Sequence, residues 1–443
     1  MDAGTAPARR GPTPLATLDR IPALDVVRGF ALLGIFLMNV EFFTRPLQDI
    51  GAEGVDPSLR GIHYAADWLV YFFVQGKFWT LFSLLFGMGF AVMIDRAERA
   101  GRSFAPVYLR RSVALLGIGL AHSLLVWSGD ILVSYAIGAL ILLLARQLRR
   151  SASARLQRIP RAAVAAIPAR RLAGWGLLLY CLIPAAVLLA GLVGTMMPDA
   201  TPSATEVQAK AAERAGKAAR RDAAMLAYRD GTYSQALAQR VADTREQLGD
   251  LPPFLPFVLG SFLIGAALVR SGVAARPQDF QPQLRSARNL GLPLGFGLMA
   301  ISVGLGTTAE PERFDLRHAL QISTFLIAGL VLALAYAATL ALALHGAAGA
   351  WLERWLAPAG RMALTNYLLQ SVIGTMYFYG YGLGQWGLAR AWQLVFVLVV
   401  FAVQVVVSRW WLARWRLGPV EWLWRAFTYW RWPSLRIAAA GAP

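Results

Sequence analysis

An all-α chain that crosses a membrane about ten times, with both ends in the cytoplasm, is what this sequence predicts. Three observations carry that expectation. Of 443 residues, 57% are hydrophobic and only 15% charged, with a mean hydropathy of +0.49, too little charge to cover a soluble protein of this size. The apolar residues gather into runs of roughly 20, the length a helix needs to cross a bilayer. The arginines of the loops fall on alternate sides once those runs are threaded in turn.

The elements follow in order. Residues 1–22 read as a cytoplasmic tail, without the features of a cleavable signal peptide. Spans are expected at 24–43, at 66–94 with an interruption at Gln75-Gly76-Lys77, and at 111–128, 131–148 and 172–197. These make an N-terminal five-span bundle over 23–197, with a basic cytoplasmic loop at 149–171. Residues 198–252 hold eight basic and eight acidic residues and too few apolar positions for a core of their own, so they predict one or two amphipathic helices on the outer face. A second five-span bundle over 253–413 takes 253–272, 290–307, 319–344, 362–382 and 391–413. The remaining 414–443 form a Trp- and Arg-rich cytoplasmic tail suited to the membrane interface. With the N-terminus inside, the inner loops carry Arg96, Arg99, Arg102, Arg110, Arg111 and, over 146–171, eight arginines without an acid. The outer loops are balanced. That alternation explains the net charge of +18 without nucleic acid as a partner, and places the chain in a bacterial inner membrane.

The single cysteine, Cys181, excludes a disulfide framework and a cysteine-based metal site, and the four histidines show no ligand spacing. No metal and no tightly bound cofactor are expected.

Ionisable groups at membrane depth are expensive and mark candidate sites. Asp25 and Arg28 stand one turn apart at the inner end of the first span and can pair. Asn39 lies eleven residues beyond Arg28, and His122 eleven beyond Arg111; at about 1.5 Å per residue both sit roughly 16 Å deep. They are candidates to line one cavity. A structural hydrogen-bonder is the competing role for His122, and a helix–helix contact for Asn39. Asp130 and Lys77 come out near the outer boundary and predict an ion pair. The glycines of Phe86-Gly87-Met88-Gly89-Phe90 suit close helix packing. In the ninth span Asn366 and Gln370 form one polar stripe, Arg361 lies at the inner mouth, and Tyr377, Tyr379 and Tyr381 make an aromatic outer end. A polar cavity with an arginine rim suits an anionic ligand, phosphate above all.

Several blocks together carry a resemblance. They are Arg20-Ile-Pro-Ala-Leu-Asp25-Val-Val-Arg28-Gly29, Gly76-Lys77-Phe78 followed by Thr80 to Gly87, and His122 followed by Trp127-Ser-Gly-Asp130. Gly360 to Ser371, Phe378 to Gly382 and Gly418 to Arg425 complete the set. The chain resembles the YeiB-type membrane protein family, known as a domain of unknown function, over most of its length except 149–252. That family is thought to be distantly similar to transmembrane acyltransferases such as heparan-α-glucosaminide N-acetyltransferase and the acyltransferase-3 group. The shared piece is the opening Leu24 to Gly29. The resemblance implies transfer of an acyl group from cytoplasmic acyl-CoA to an envelope sugar, lipid or polymer hydroxyl or amine. His122 and Asn39 would then be catalytic, with His63 a weaker match. Asp25, Arg28, Arg110, Arg111, Arg361, Asn366 and Gln370 would bind the acyl-CoA, and Lys77, Asp130 and Tyr381 would shape the outer acceptor side. A transporter for an anionic or lipid-like small molecule and a non-catalytic envelope scaffold are the alternatives; no inverted repeat favours the transporter. Expected partners are membrane lipids, acyl-CoA, and an envelope glycan or lipid acceptor, with a homodimer left open.

Overall fold

Hydrophobic runs without internal turn signals should close their backbone hydrogen bonds within helices, and they do. The computed structural model describes residues 21–46, 54–101, 103–157, 166–197, 203–306 and 314–437. Among these every element is helical, apart from one isolated bridge between Trp415 and Arg436. Most of the N-terminal tail, part of the 149–171 loop and the last residues of the C-terminal tail lie outside the described residues.

The first run forms α1 (Pro22–Asn39), prolonged by a 3-10 turn over Val40–Phe43. The interrupted 66–94 run holds two helices, α2 (Gly61–Phe73) and α3 (Lys77–Arg99). The break sits at the Gln75-Gly76-Lys77 interruption: Gly76 takes a left-handed φ of 80° that an L side chain resists, and the turn starts α3 afresh. Then come α4 (Ala105–Leu125), α5 (Leu132–Gln157) and α6 (Ala169–Met196). The 198–252 stretch supplies α7 (Ala204–Arg229), begun by a capping box of Ser203 and Glu206. It also supplies the first half of α8 (Tyr233–Arg270), one helix that runs unbroken through Pro252 and Pro253 into the membrane-spanning stretch. The chain ends with α9 (Gln281–Gly304), α10 (Leu316–Ala343), α11 (Gly349–Arg361), α12 (Ala363–Phe378), α13 (Arg390–Leu412) and a short α14 (Pro419–Tyr429).

Seven helical stretches are long and apolar enough to cross a membrane: Pro22–Phe43, Gly61–Arg99, Leu132–Gln157, Ala169–Met196, Tyr233–Arg270, Leu316–Ala343 and Arg390–Leu412. Of the other expected spans, α12 is short at 16 residues, while Arg110–Arg111 in α4 and Arg288–Asn289 in α9 dilute the apolar character of those helices. The outward faces are hydrophobic, with Trp175, Leu178, Leu182 and Leu189 of α6 and Val395, Leu398, Val399 and Val406 of α13 exposed. Aqueous solvent would penalise such continuous apolar bands, and lipid would not.

The centre is built on close approaches. A Cβ on Gly87 would meet the Phe262 carbonyl oxygen at 2.1 Å, and one on Gly265 the Leu84 carbonyl oxygen at 2.0 Å. Only glycine therefore lets α3 and α8 touch backbone to backbone. The same logic joins α1 to α11, where a Cβ on Gly29 would meet the Leu356 oxygen at 2.2 Å and one on Gly360 the Asp25 oxygen at 1.8 Å. Residues of α1, α3, α4, α5, α11, α12 and α14 surround a space in the bundle.

Candidate functional site

That space is a cavity of about 280 Å³. One end is rimmed by five arginines, Arg28, Arg96, Arg111, Arg361 and Arg425, with Asp25 and Glu421 as the acids. The bore above them is apolar, lined by residues such as Phe82, Phe86, Phe90 and Leu115, and its other end is walled by Ile131, Tyr135 and Tyr367. A positive mouth and an apolar shaft suit an amphiphile with an anionic head.

Three of the rim groups have anchors that explain their placement. Arg28 Nη1 donates to Asp25 Oδ1 at 2.9 Å. The Arg111 guanidinium stacks 3.7 Å from the Trp424 ring, whose indole nitrogen donates back to the Arg111 carbonyl at 2.9 Å. Thus α14 is part of the wall, not only an interfacial tail. Glu421 holds α14 in place: its Oε1 accepts from the Leu364 and Thr365 amides at 2.7 and 3.0 Å, capping the N-terminus of α12. Burial pushes the Glu421 carboxyl above its usual range, against those hydrogen bonds, which favour the ionised form.

Behind the far wall lies a buried pair. His122 Nδ1 is 2.7 Å from Asp130 Oδ1, and His122 is 3% exposed. Asp130 Oδ2 accepts from the Val133 amide at 2.9 Å at the start of α5, so the carboxylate is fixed by a helix N-terminus. With the Nδ1 proton donated to the carboxylate, Nε2 is left as the basic atom. That Nε2 is buried and has no hydrogen-bond partner among the described residues. The Tyr367 ring packs 5.4 Å from the imidazole, and its hydroxyl is 3.5 Å from Asp130 Oδ1. One tyrosine therefore touches both the cavity and the His–Asp pair.

The other candidates fall elsewhere. Asp130 pairs with His122 rather than with Lys77. Lys77 is fully buried, donates to the Tyr71 carbonyl at 2.9 Å, and faces the Phe325 ring at 5.1 Å. The break at Gly76 turns it toward α9 and α10 and away from α5. Asn39 ends α1 without a side-chain cap hydrogen bond and does not line the cavity, which stops one turn below it at Ile35. Arg110 ties α4 to α14 through the Thr428 carbonyl at 3.0 Å. Asn366 donates to Ser408 Oγ at 2.9 Å and Gln370 to Gln404 Oε1 at 2.9 Å, so that stripe faces α13. His63 accepts from the Ala391 amide at 3.3 Å, and Tyr381 packs against Tyr233 and Tyr379.

Sequence reasoning did not single out Arg96, Glu421, Trp424, Arg425 or Tyr367 as site residues. The Gly418 to Arg425 block was visible, but its aromatic content pointed to the membrane interface. Tyr367 sits between two polar residues, and only the helix phase shows that it faces the cavity while they face α13.

Residues 268–431 match the family described as "Protein of unknown function (DUF418)". Over 439 residues the chain is 32% identical to the uncharacterized protein YxaH of Bacillus subtilis (strain 168), covering 95% of this chain and 97% of the relative. It is also 32% identical over 430 residues to the uncharacterized protein YeiB of Escherichia coli (strain K12), covering 93% and 97%. An uncharacterized 39.9 kDa protein in the amylase 3′ region of Bacillus acidopullulyticus is 26% identical over 423 residues, covering 94% and 96%. The chain belongs to the YeiB-type, DUF418 family.

Proposed function

We propose that this member of the YeiB-type family is an acyltransferase of a bacterial inner membrane. It would take an acyl group from cytoplasmic acyl-CoA and pass it to a hydroxyl or amine in the envelope. In this reading ten helices cross the bilayer, namely α1, α3, α4, α5, α6, α8, α9, α10, α12 and α13. The arginine mouth and both termini then face the cytoplasm, as the positive-inside pattern requires, and α7 with the first half of α8 caps the outer face.

The observation that carries the proposal is the line from an arginine-rimmed, apolar cavity to a buried His–Asp pair whose Nε2 has no hydrogen-bond partner among the described residues. The rim arginines would hold the phosphates of CoA, and the bore would take the pantetheine arm and acyl chain. The acceptor O–H or N–H bond is broken by transfer of its proton to His122 Nε2 as the acceptor attacks the thioester carbonyl. Asp130 holds the imidazole in the tautomer this needs and stabilises the imidazolium that forms. Collapse breaks the C–S bond, and His122 returns the proton to the CoA thiolate. The Tyr367 hydroxyl, at the cavity wall, replaces Asn39 as the donor to the developing oxyanion.

The test uses purified full-length protein in proteoliposomes with radiolabelled acetyl- and palmitoyl-CoA and an envelope extract as acceptor. His122→Ala should abolish acyl transfer and leave acyl-CoA binding within twofold. Transfer that survives in H122A sinks the mechanism. Flux of an anion across the membrane without acyl-CoA would establish the transporter reading instead.

A further inference from the structure

Unpartnered polar atoms buried in a protein are rare and call for an explanation. Four belong to residues on the α4–α5 turn or bonded to it: His122 Nε2, Trp127 Nε1, and Arg240 Nη1 and Nη2, none with a hydrogen-bond partner among the described residues. Arg240 lies on the outer half of α8 and is fully buried. Its Nε donates to the Leu124 carbonyl at 2.9 Å, on the last turn of α4, two residues beyond His122. The guanidinium faces the rings of Tyr233 at 5.0 Å and Tyr381 at 5.9 Å. Its two terminal nitrogens thus sit among aromatic rings with donors unused.

The same stretch of α8 seals the α4–α5 turn. Thr244 and Ser123 share a hydrogen bond at 2.7 Å, and Ser128 donates to Asp243 Oδ2 at 3.2 Å. Asp243, three residues on, accepts from other donors and makes no hydrogen bond to the Arg240 fork: Tyr228 donates to its Oδ2, and Gln239 to its Oδ1 at 2.8 Å. A guanidinium taken out of water is costly unless both edges of its fork are met. Carboxylate and phosphate are the groups whose paired oxygens match that fork.

We infer that Arg240 forms an outer subsite for an acceptor carrying a carboxylate or phosphate, reached when α7 lifts away from α8. Lifting is cheap on the α7 side, since Ala224 and Tyr228 are its only buried residues. The bound anion would take the two Arg240 nitrogens and bring its neighbouring hydroxyl toward His122 Nε2. The assignment of the ligand as the acyl acceptor rests on the acyltransferase reading; the anion subsite itself does not.

Hydrogen–deuterium exchange on the purified full-length protein, with D-glucuronate and inorganic phosphate in separate arms, tests it. Either probe should protect residues 233–246 in the wild type, and Arg240→Gln should lose that protection with at least a tenfold rise in Kd. Protection by glucuronate alone assigns a carboxylate acceptor, and protection by phosphate alone a phosphorylated one. Should R240Q not fold, Arg240→Lys carries the test: it keeps the charge, loses the fork, and should bind several-fold more weakly. Equal protection in wild type and variant, or protection confined to the arginine mouth, overturns the subsite. A protected 233–246 segment in a protein whose H122A variant still transfers acyl groups would instead keep the subsite and sink the acyltransferase mechanism.

Discussion

Two buried polar clusters in this protein look alike by burial and differ in how they are satisfied. At the N-terminal end of α13, Arg390 is 5% exposed and flanked by acids. Its Nε donates to Asp67 Oδ1 at 2.7 Å, its Nη2 is 3.1 Å from Glu41 Oε2, and its Nη1 donates to Gln393 at 2.8 Å. Arg45 also pairs with Glu41, and Asp67 accepts from the Asp56 amide at 2.8 Å. Every donor of that guanidinium named here has an acceptor, and none of these residues lines the cavity. The His122–Asp130 pair is as deeply enclosed, yet keeps one nitrogen unused and shares Tyr367 with the cavity. Satisfied burial ties helices together; unsatisfied burial beside a cavity is where chemistry can occur. The Asn366–Ser408 and Gln370–Gln404 seam belongs with the first kind.

Mutations can break or sharpen that contrast. The largest effect is expected from His122→Ala, a loss of about a hundred- to ten-thousand-fold in acyl transfer. Thermal unfolding followed by intrinsic fluorescence in detergent should show only a modest loss, because Asp130 loses its imidazole partner but keeps the Val133 amide. Arg390→Ala should do the reverse and destabilise by about 3–5 kcal/mol, since it takes the counter-charge from buried Asp67 and leaves Glu41 with Arg45 alone. Turnover per folded molecule should stay near wild type. If H122A unfolds the protein while R390A only slows it, the two clusters have been assigned the wrong way round.

Smaller effects test the rim and the seam. Arg111→Gln should raise the KM for acyl-CoA about tenfold, the loss of one charge-assisted contact, and change kcat little. Equal falls in kcat and kcat/KM would place Arg111 at the reacting atoms instead. Gln404→Leu should destabilise by about 1 kcal/mol, in the range of single helix–helix hydrogen bonds in membranes, with kinetics unchanged. A large kinetic defect there would return Asn366 and Gln370 to the binding site from which the structure removes them.

Composition alone determined the solvent of this protein, because covering apolar helices is a bulk property that needs no tertiary information. The placement of His122 far from the flanking arginines was legible for the same reason: depth along a helix is a count of residues. Rotation about the helix axis was not. Whether Asn366 or Tyr367 faces the cavity is a matter of about 100°, set by which neighbour the helix packs against. Pairing across the sequence was equally hidden: Asp130 was expected to meet Lys77 and instead meets His122, because one glycine at position 76 ends a helix and turns Lys77 toward α10. The unsatisfied fork of Arg240 was further still from view, since whether a buried donor has a partner depends on every atom around it and on no local pattern.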